Sequence, residues 1–189
     1  MNKLTKAGFA GLFLSLTAVL ASCGSSSETS SDTVAVTADV FPVTVGDLTL
    51  DAQPTRIISL SPTATEMLYA IGAGSQVVAV DEYSNYPAEA VALGTPLSGF
   101  EPNIEAISGY TPDLVIISYD PGSLVEQLST LDIPVFVAGA AMSIENVYEQ
   151  IEQLGVLTGN SQKAIEVSKT LQVGIEEAVA SVQFSEPPL

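Results

Sequence analysis

The chain has 189 residues, a formal net charge of −17 and a sequence pI near 4.1. So acidic a protein repels nucleic acid and anionic membrane surfaces, which argues against both as partners. Because it contains no histidine and a single cysteine, Cys23, its residues cannot form a disulfide or a cysteine-ligated metal site. Hydrophobic residues make up 47% of the chain, which is enough to bury a core and excludes a disordered acidic tail.

The N-terminal segment has the order of a secretory signal. Lys3 and Lys6 precede a mostly apolar run from Ala7 to Leu20, and small residues follow. This order predicts a signal peptide over residues 1–22. The run Leu20-Ala21-Ser22-Cys23 resembles the bacterial lipobox, in which the cysteine sulfur takes up diacylglycerol. The apolar run is shorter than the ~20 residues that cross a bilayer, so a lipid-anchored Cys23 is favoured over a transmembrane anchor.

A linker and one domain follow the anchor. Residues 23–39 are rich in Ser, Thr and acids without periodicity, which is typical of a flexible stalk. About 150 residues remain, enough for one domain core. This part opens with alternating apolar and polar residues over Phe41–Leu50, which predicts a small hairpin.

From Pro54 onward, short apolar runs alternate with helical patterns. The runs predict strands over Arg56–Leu60, Gln76–Val80, Asp113–Ile117 and Pro134–Val137. The helical patterns cover Thr63–Ile71, a short segment after Pro87, Asn103–Ile107, Ser123–Leu131, Ser143 to near Gly159, and Ser161–Val182. This alternation predicts an α/β fold, with a buried parallel sheet flanked by helices on both faces and a long helix after it.

Candidate ligand-binding residues follow from the rule that ligands of open parallel sheets bind beyond the carboxyl ends of the strands. Ser61, Thr63, Tyr83 and Tyr119 come directly after predicted strands, and the loop that contains Phe100 is expected on the same side. The three aromatic rings could stack on a large planar or hydrophobic ligand. For the two tyrosines, packing on neighbouring loops is an equal alternative, and for Phe100 a core position is the favoured alternative.

Three charged residues have structural interpretations on the sequence alone. Thr63 and Glu66 fit a capping box, and Ser61 is a competing helix cap. Glu105 lies just inside a helix start, where the helix dipole favours a negative charge. Arg56 enters the first buried strand at its amino end, and we interpret it as the donor of a structural ion pair.

The sequence contains no catalytic motif. A G-x-S-x-G elbow, a Walker loop and a dinucleotide-binding G-x-G-x-x-G are all missing from the chain. We therefore predict no catalytic residue, no metal site, no cofactor and no enzyme activity. The alternatives are a surface lipoprotein enzyme and a structural or adhesion domain on the same fold.

Several linked segments carry a family resemblance. In order and spacing, over about Pro54 to Val182, they resemble the solute-binding lipoproteins of ABC importers for ferric siderophores, haem and cobalamin. The segments are Pro54-Thr55-Arg56-Ile57-Ile58-Ser59-Leu60-Ser61-Pro62 with Thr65-Glu66, then Tyr83-Ser84-Asn85-Tyr86-Pro87, Asn103-Ile104-Glu105 and Thr111-Pro112-Asp113-Leu114-Val115-Ile116.

The resemblance implies a protein of two lobes joined by a long backbone helix, with the ligand held between the lobes. Residues 40–160 then correspond to the N-terminal lobe, 161–182 to the connecting helix, and 183–189 to the approach to a C-terminal lobe that the chain lacks. The resemblance further implies that the ligand is a metal chelate, namely a ferric siderophore, haem or a cobalamin-type compound. The missing tryptophan argues against cobalamin, and the missing histidine argues against the related zinc and manganese receptors.

The resemblance also implies functional roles for two residues. Tyr83 matches a cobalamin-contacting position, and Glu105 matches a glutamate that docks onto arginines of the membrane permease. We therefore expect a monomeric extracytoplasmic receptor that is anchored to the cell membrane through Cys23. It would deliver its ligand to an ABC permease and its ATPase without a chemical step.

Overall fold

The computed structural model describes residues 39–182. The predicted signal peptide, Cys23, residues 24–38 of the linker and residues 183–189 lie outside this range. The strands are β1 Val43–Val45, β2 Leu48–Leu50, β3 Ile57–Leu60, β4 Val77–Val80, β5 Leu114–Ile117 and β6 Val135–Val137. The α-helices are α1 Pro62–Ala70, α2 Ala88–Val91, α3 Ile104–Gly109, α4 Leu124–Ser129, α5 Ile144–Thr158 and α6 Ser161–Ser181.

The predicted α/β fold is confirmed. Four parallel strands form a sheet in the order β4-β3-β5-β6, and every residue of β3 and β5 is buried. Alternate side chains of β5 point to opposite faces, because successive residues of a strand do so. Leu114 and Ile116 pack with α1 and α5, whereas Val115 and Ile117 pack with α3 and α4.

The predicted hairpin is also present. β1 and β2 pair antiparallel with Val45 opposite Leu48, so the loop between them has two residues. Gly46 in this loop has a φ of 58°, which glycine adopts without the steric cost of a Cβ atom. The half-buried side chains of Val43 and Leu48 pack against the core on the α5 side of the sheet.

The helix pair α5 and α6 closes one face of the sheet. A Cβ atom on Gly155 would lie 2.4 Å from the Cβ atom of Ala164, so two small residues permit this close approach. The long helix is confirmed, but only Ala164 and Ser168 of α6 are buried, and Leu171 is 40% exposed. None of the helices within residues 39–182 has both the length and the apolar content to cross a bilayer.

The start of α1 decides between the two predicted caps. Ser61 is the N-cap, and its Oγ accepts a hydrogen bond from the Ala64 amide at 3.3 Å. Pro62 is the first helical residue, a position where its missing N–H costs nothing. The capping box of Thr63 and Glu66 is therefore wrong, because the helix begins before Thr63.

Arg56 does not form the expected ion pair. Its Nη2 donates to the Tyr110 carbonyl at 2.6 Å, and its Nε donates to the Thr111 carbonyl at 3.1 Å. The nearby Asp113 carboxylate accepts from the backbone amides of Thr55 and Arg56 at 2.8 and 2.9 Å. The side chains of Arg56 and Asp113 thus bind backbone groups, and these contacts join the amino ends of β3 and β5.

The packing makes a direct prediction for stability. Leu154 of α5 is fully buried in the core beneath the sheet, so Leu154→Ala should lower the free energy of unfolding by about 2–5 kcal/mol. Leu131→Ala is the matched control, because Leu131 is 48% exposed. Urea denaturation measures both, and equal losses for the two variants would contradict the assigned core.

Candidate functional site

A crevice opens where β3, β4 and β5 end. Its cavity measures about 260 Å³, and its position agrees with the rule for open parallel sheets. Its wall includes Pro62, Asp81, Tyr83, Gly99, Phe100 and Tyr119. Side chains that follow three different strands, together with the Gly99–Phe100 loop, therefore share one concave surface.

Three aromatic residues dominate this crevice. The rings of Tyr83 and Phe100 are 5.5 Å apart at 87°, an edge-to-face arrangement that aromatic pairs prefer. The rings of Phe100 and Tyr119 are 6.2 Å apart and tilted by 47°. Tyr83 is 55% exposed, Phe100 61% and Tyr119 44%. The core position expected for Phe100 is wrong, and the tyrosines pack on Phe100 while keeping ring surface free.

Ser61 and Thr63 are placed differently from the aromatic residues. Ser61 is buried, and its Oγ is engaged as the cap of α1. Thr63 is exposed on the first turn of the same helix. Neither side chain lines the crevice with the three rings, so contact of these two residues with a ligand stays a prediction.

Asp81 is the residue that sequence reasoning undervalued. It directly follows the second predicted strand, and its side chain is buried and lines the crevice. Burial raises the pKa of Asp81, and the neighbouring Glu82 carboxylate adds to this rise. The hydroxyl and amide of Ser84 and the amide of Tyr83 act in the opposite direction. The sequence signal that could have identified Asp81 is its position directly after a predicted buried strand.

Gly99 lets two segments meet at the crevice. A Cβ atom at this position would lie 2.8 Å from Asp81 Oδ2 and 2.9 Å from the Leu60 carbonyl oxygen. Real Cβ atoms essentially never come so close to a neighbour. The loop that carries Phe100 can therefore approach β3 and Asp81 only because residue 99 has no side chain.

Glu105 lies away from the crevice, on the first turn of α3. Its side chain is exposed, and the Asn103 side chain caps the helix by accepting from the Ala106 amide at 2.9 Å. Because α3 and α5 pack on opposite faces of the sheet, Glu105 belongs to the face away from α5. The position suits a contact with another protein, and that role stays a prediction.

A larger open depression of about 730 Å³ lies along α1 and the turn after it. Tyr69 and Tyr86 contribute rings to this depression, and the carboxylates of Glu66 and Glu89 also line it. This depression lies beside α1 and away from the strand ends, where ligands of open parallel sheets bind, so the smaller crevice is the better candidate. Within residues 39–182, acidic side chains form no metal-binding group of three or more.

Comparison with known proteins matches most of the chain to one family. The sequence profile of a family described as periplasmic binding protein matches residues 57–188. An uncharacterized ABC transporter substrate-binding lipoprotein of Bacillus subtilis is 30% identical over 181 residues, which are 91% of this chain and 57% of that protein. A cobalamin-binding protein of Halobacterium salinarum is 33% identical over 159 residues, 78% of this chain and 43% of that protein.

A solved structure has a similar fold. A possible iron-binding, periplasmic solute-binding protein of Staphylococcus epidermidis superposes with a TM-score of 0.67 at 25% identity. The match covers 71% of this chain and 54% of that structure. The present chain thus spans about half the length of the curated relatives it matches.

The close approach at Gly99 generates a prediction. Gly99→Ala should force apart the Leu60 carbonyl and the Asp81 carboxylate, which lowers the free energy of unfolding by about 1–3 kcal/mol. Gly109→Ala is the control, because a Cβ atom there meets nothing within 4 Å. Thermal and urea unfolding measure both variants. A Gly99→Ala variant as stable as the parent chain would contradict the packing described.

Proposed function

Because this chain belongs to the periplasmic binding protein family, we propose that it is the solute-binding component of an ABC importer for a bulky metal chelate. The proposed ligand is a ferric siderophore, haem or a cobalamin-type compound. The proteins named in the comparisons are binding proteins and not enzymes, in agreement with the missing catalytic motifs. Capture of the ligand then requires no chemical step by the protein.

The observation that carries the ligand class is the exposed aromatic cluster of Tyr83, Phe100 and Tyr119. Exposed rings cost free energy in water unless a ligand covers them, because burial of apolar surface is the main favourable term in association. Three rings at different tilts provide apolar faces and edges for a large, partly planar ligand. The names of the similar proteins, which include cobalamin and iron binding, support the same class.

The charge of the crevice restricts how an anionic chelate could be held. The basic residues of the described range are Arg56, Lys163 and Lys169, and none of them lines the crevice. This lobe therefore offers aromatic and hydrogen-bonding contacts, and cations for an anionic ligand would have to come from the second lobe that the family resemblance implies. In this proposal the two lobes enclose the ligand, and α6 is the helix that connects them.

Membrane attachment and delivery complete the proposal. Cys23 would carry the lipid, with the acid- and Ser-rich segment 24–39 as the tether that lets a monomeric receptor reach its permease. The B. subtilis relative is named a substrate-binding lipoprotein, which supports this arrangement. Glu105, exposed on α3, would dock onto basic residues of the permease, whose ATPase drives import.

The ligand proposal is tested by binding. Cyanocobalamin, haemin and ferrichrome are titrated into the full-length protein, and calorimetry together with tyrosine fluorescence measures binding. One of the three should bind. Phe100→Ala should weaken that binding about five-fold, because loss of one stacked ring costs on the order of 1 kcal/mol.

Tyr86→Ala is the matched control for this experiment. Tyr86 is 63% exposed and does not line the crevice, so its loss should leave the affinity unchanged. Absence of binding across the three compounds would refute the ligand class. Equal losses for the two variants would refute the role of the aromatic cluster.

The docking proposal predicts a separation of transport from binding. Glu105→Lys should reduce ligand-dependent stimulation of the permease ATPase in proteoliposomes and leave ligand affinity unchanged, since α3 lies outside the crevice. Glu152→Lys makes the same charge change at an exposed position of α5, on the other face of the sheet, and should leave both unchanged. Full stimulation by Glu105→Lys would contradict docking through this residue.

A further inference from the structure

A second cavity adjoins the crevice at Phe100. It measures about 250 Å³, close to the 260 Å³ of the crevice, and we refer to it as the side pocket. Its lining includes four apolar and two polar residues: Pro102, Ile104, Pro121, Leu124, Glu101 and Gln127. Phe100 belongs to the linings of both cavities, and no other residue in the described range 39–182 does. The two spaces therefore meet at this one residue.

Both cavities lie at the carboxyl edge of the sheet. Ile104 follows the Gly99–Phe100 loop, which reaches the end of β3, and Leu124 begins the helix that comes after the end of β5. Ligands of open parallel sheets bind at this edge. The side pocket is thus placed to receive part of any ligand that extends past Phe100.

The loop that carries the Phe100 ring is fastened to its surroundings. Ser98 Oγ accepts hydrogen bonds from the amides of Phe100 and Glu101 at 3.3 and 3.2 Å, and it donates to Glu82 Oε1 at 2.9 Å. The preceding residue, Gly99, is packed so tightly that a Cβ atom has no room. The loop therefore keeps residue 100 at the junction of the two cavities.

The two cavities differ in character. On the crevice side, the Phe100 ring packs against the rings of Tyr83 and Tyr119, with centroid distances of 5.5 and 6.2 Å. The side pocket has aliphatic walls from Ile104 and Leu124. Without the ring, the two spaces would form one cavity about twice as large as the crevice. Sites for drug-sized molecules span about 300–1,000 Å³, so the united cavity would enclose ligands that the crevice alone does not.

We propose that Phe100 is a specificity-determining residue, whose ring separates the crevice from the side pocket and so limits the width of the apolar ligand that the crevice accepts. The word ligand in this statement rests on the proposed function, whereas the separation of the two cavities does not. The ring then has two effects. It stacks on a ligand that fits the crevice, and it excludes a ligand whose apolar part is wider.

Width selection and stacking predict opposite results for a wide aromatic probe. N-phenyl-1-naphthylamine is a neutral dye whose fluorescence rises in apolar surroundings, and it is titrated into the ligand-free full-length protein. Phe100→Ala should bind the dye about ten-fold more tightly than the parent chain does, which is the effect of burying roughly 60 Å² more apolar surface. If the ring acted by stacking alone, its loss would weaken binding of the dye instead.

Phe100→Leu separates the bulk of the residue from its aromatic character. Leucine keeps most of the wall and has no ring, so this variant should bind the dye about as tightly as the parent chain does. Phe100 is 61% exposed, so neither substitution removes a core contact, and circular dichroism checks that both variants keep the fold. No gain for Phe100→Ala, or an equal gain for Phe100→Leu, would overturn the proposal.

The source of the gain is tested by refilling the side pocket. Ile104→Phe places a larger side chain at the half-buried start of α3, and in the Phe100→Ala background it should cancel the tighter binding of the dye. Ile165→Phe is the matched control, because it makes the same change on α6 and outside both cavities, so the gain should persist. A gain that survives Ile104→Phe, or that both substitutions abolish equally, would overturn the proposal.

These titrations need no chelate, so they separate this proposal from the proposed function. If none of cyanocobalamin, haemin and ferrichrome binds the parent chain, the ligand class fails while the dye titrations still decide the role of Phe100. If one of them binds, Ile104→Phe alone should leave its affinity unchanged, because the ring keeps that ligand out of the side pocket. A several-fold loss of affinity in this variant would refute the separation and leave the ligand class intact.

Discussion

The structure depends on the complete burial of the two central strands. No residue of β3 or β5 is exposed, so their side chains are used on both faces for packing against helices. Such strands cannot present functional groups along their length, and polar or aromatic groups become available only where the strands end. The parallel register brings the ends of β3, β4 and β5 to one edge, which is why residues far apart in sequence form one crevice.

Much of this architecture could be predicted because each element carries its own local signal. The strands are short, nearly continuous apolar runs, and the helices end at glycines or begin at capping residues, as at Gly159 and Asn103. The start of α1 was the exception. Ser61 and Thr63 both have hydroxyls that can cap a helix, and the choice depends on Pro62, which is best placed at the first helical position.

The details of the site could not be read in the same way, because they depend on contacts between distant segments. Phe100 resembles a core residue by type, yet it stands at the rim because Gly99 brings its loop against Asp81. Buried hydroxyl contacts link Thr65 to Ser59 and to Ser84, and no periodic pattern marks such a connection. Sequence reasoning placed three rings at one edge of the sheet, where the structure brings them together, but it did not single out the buried acid beneath them.

The backbone contacts of Arg56 and Asp113 have a consequence for how this lobe can diverge. They join β3 and β5 at their amino ends, so the register of the central pair is secured at the edge opposite the crevice. Substitutions among the exposed rings of Tyr83, Phe100 and Tyr119 therefore leave that anchorage untouched. The fold is held at one edge of the sheet, and under the proposed function ligand choice would be exercised at the other, so a lineage could exchange one chelate for another without first rebuilding its scaffold.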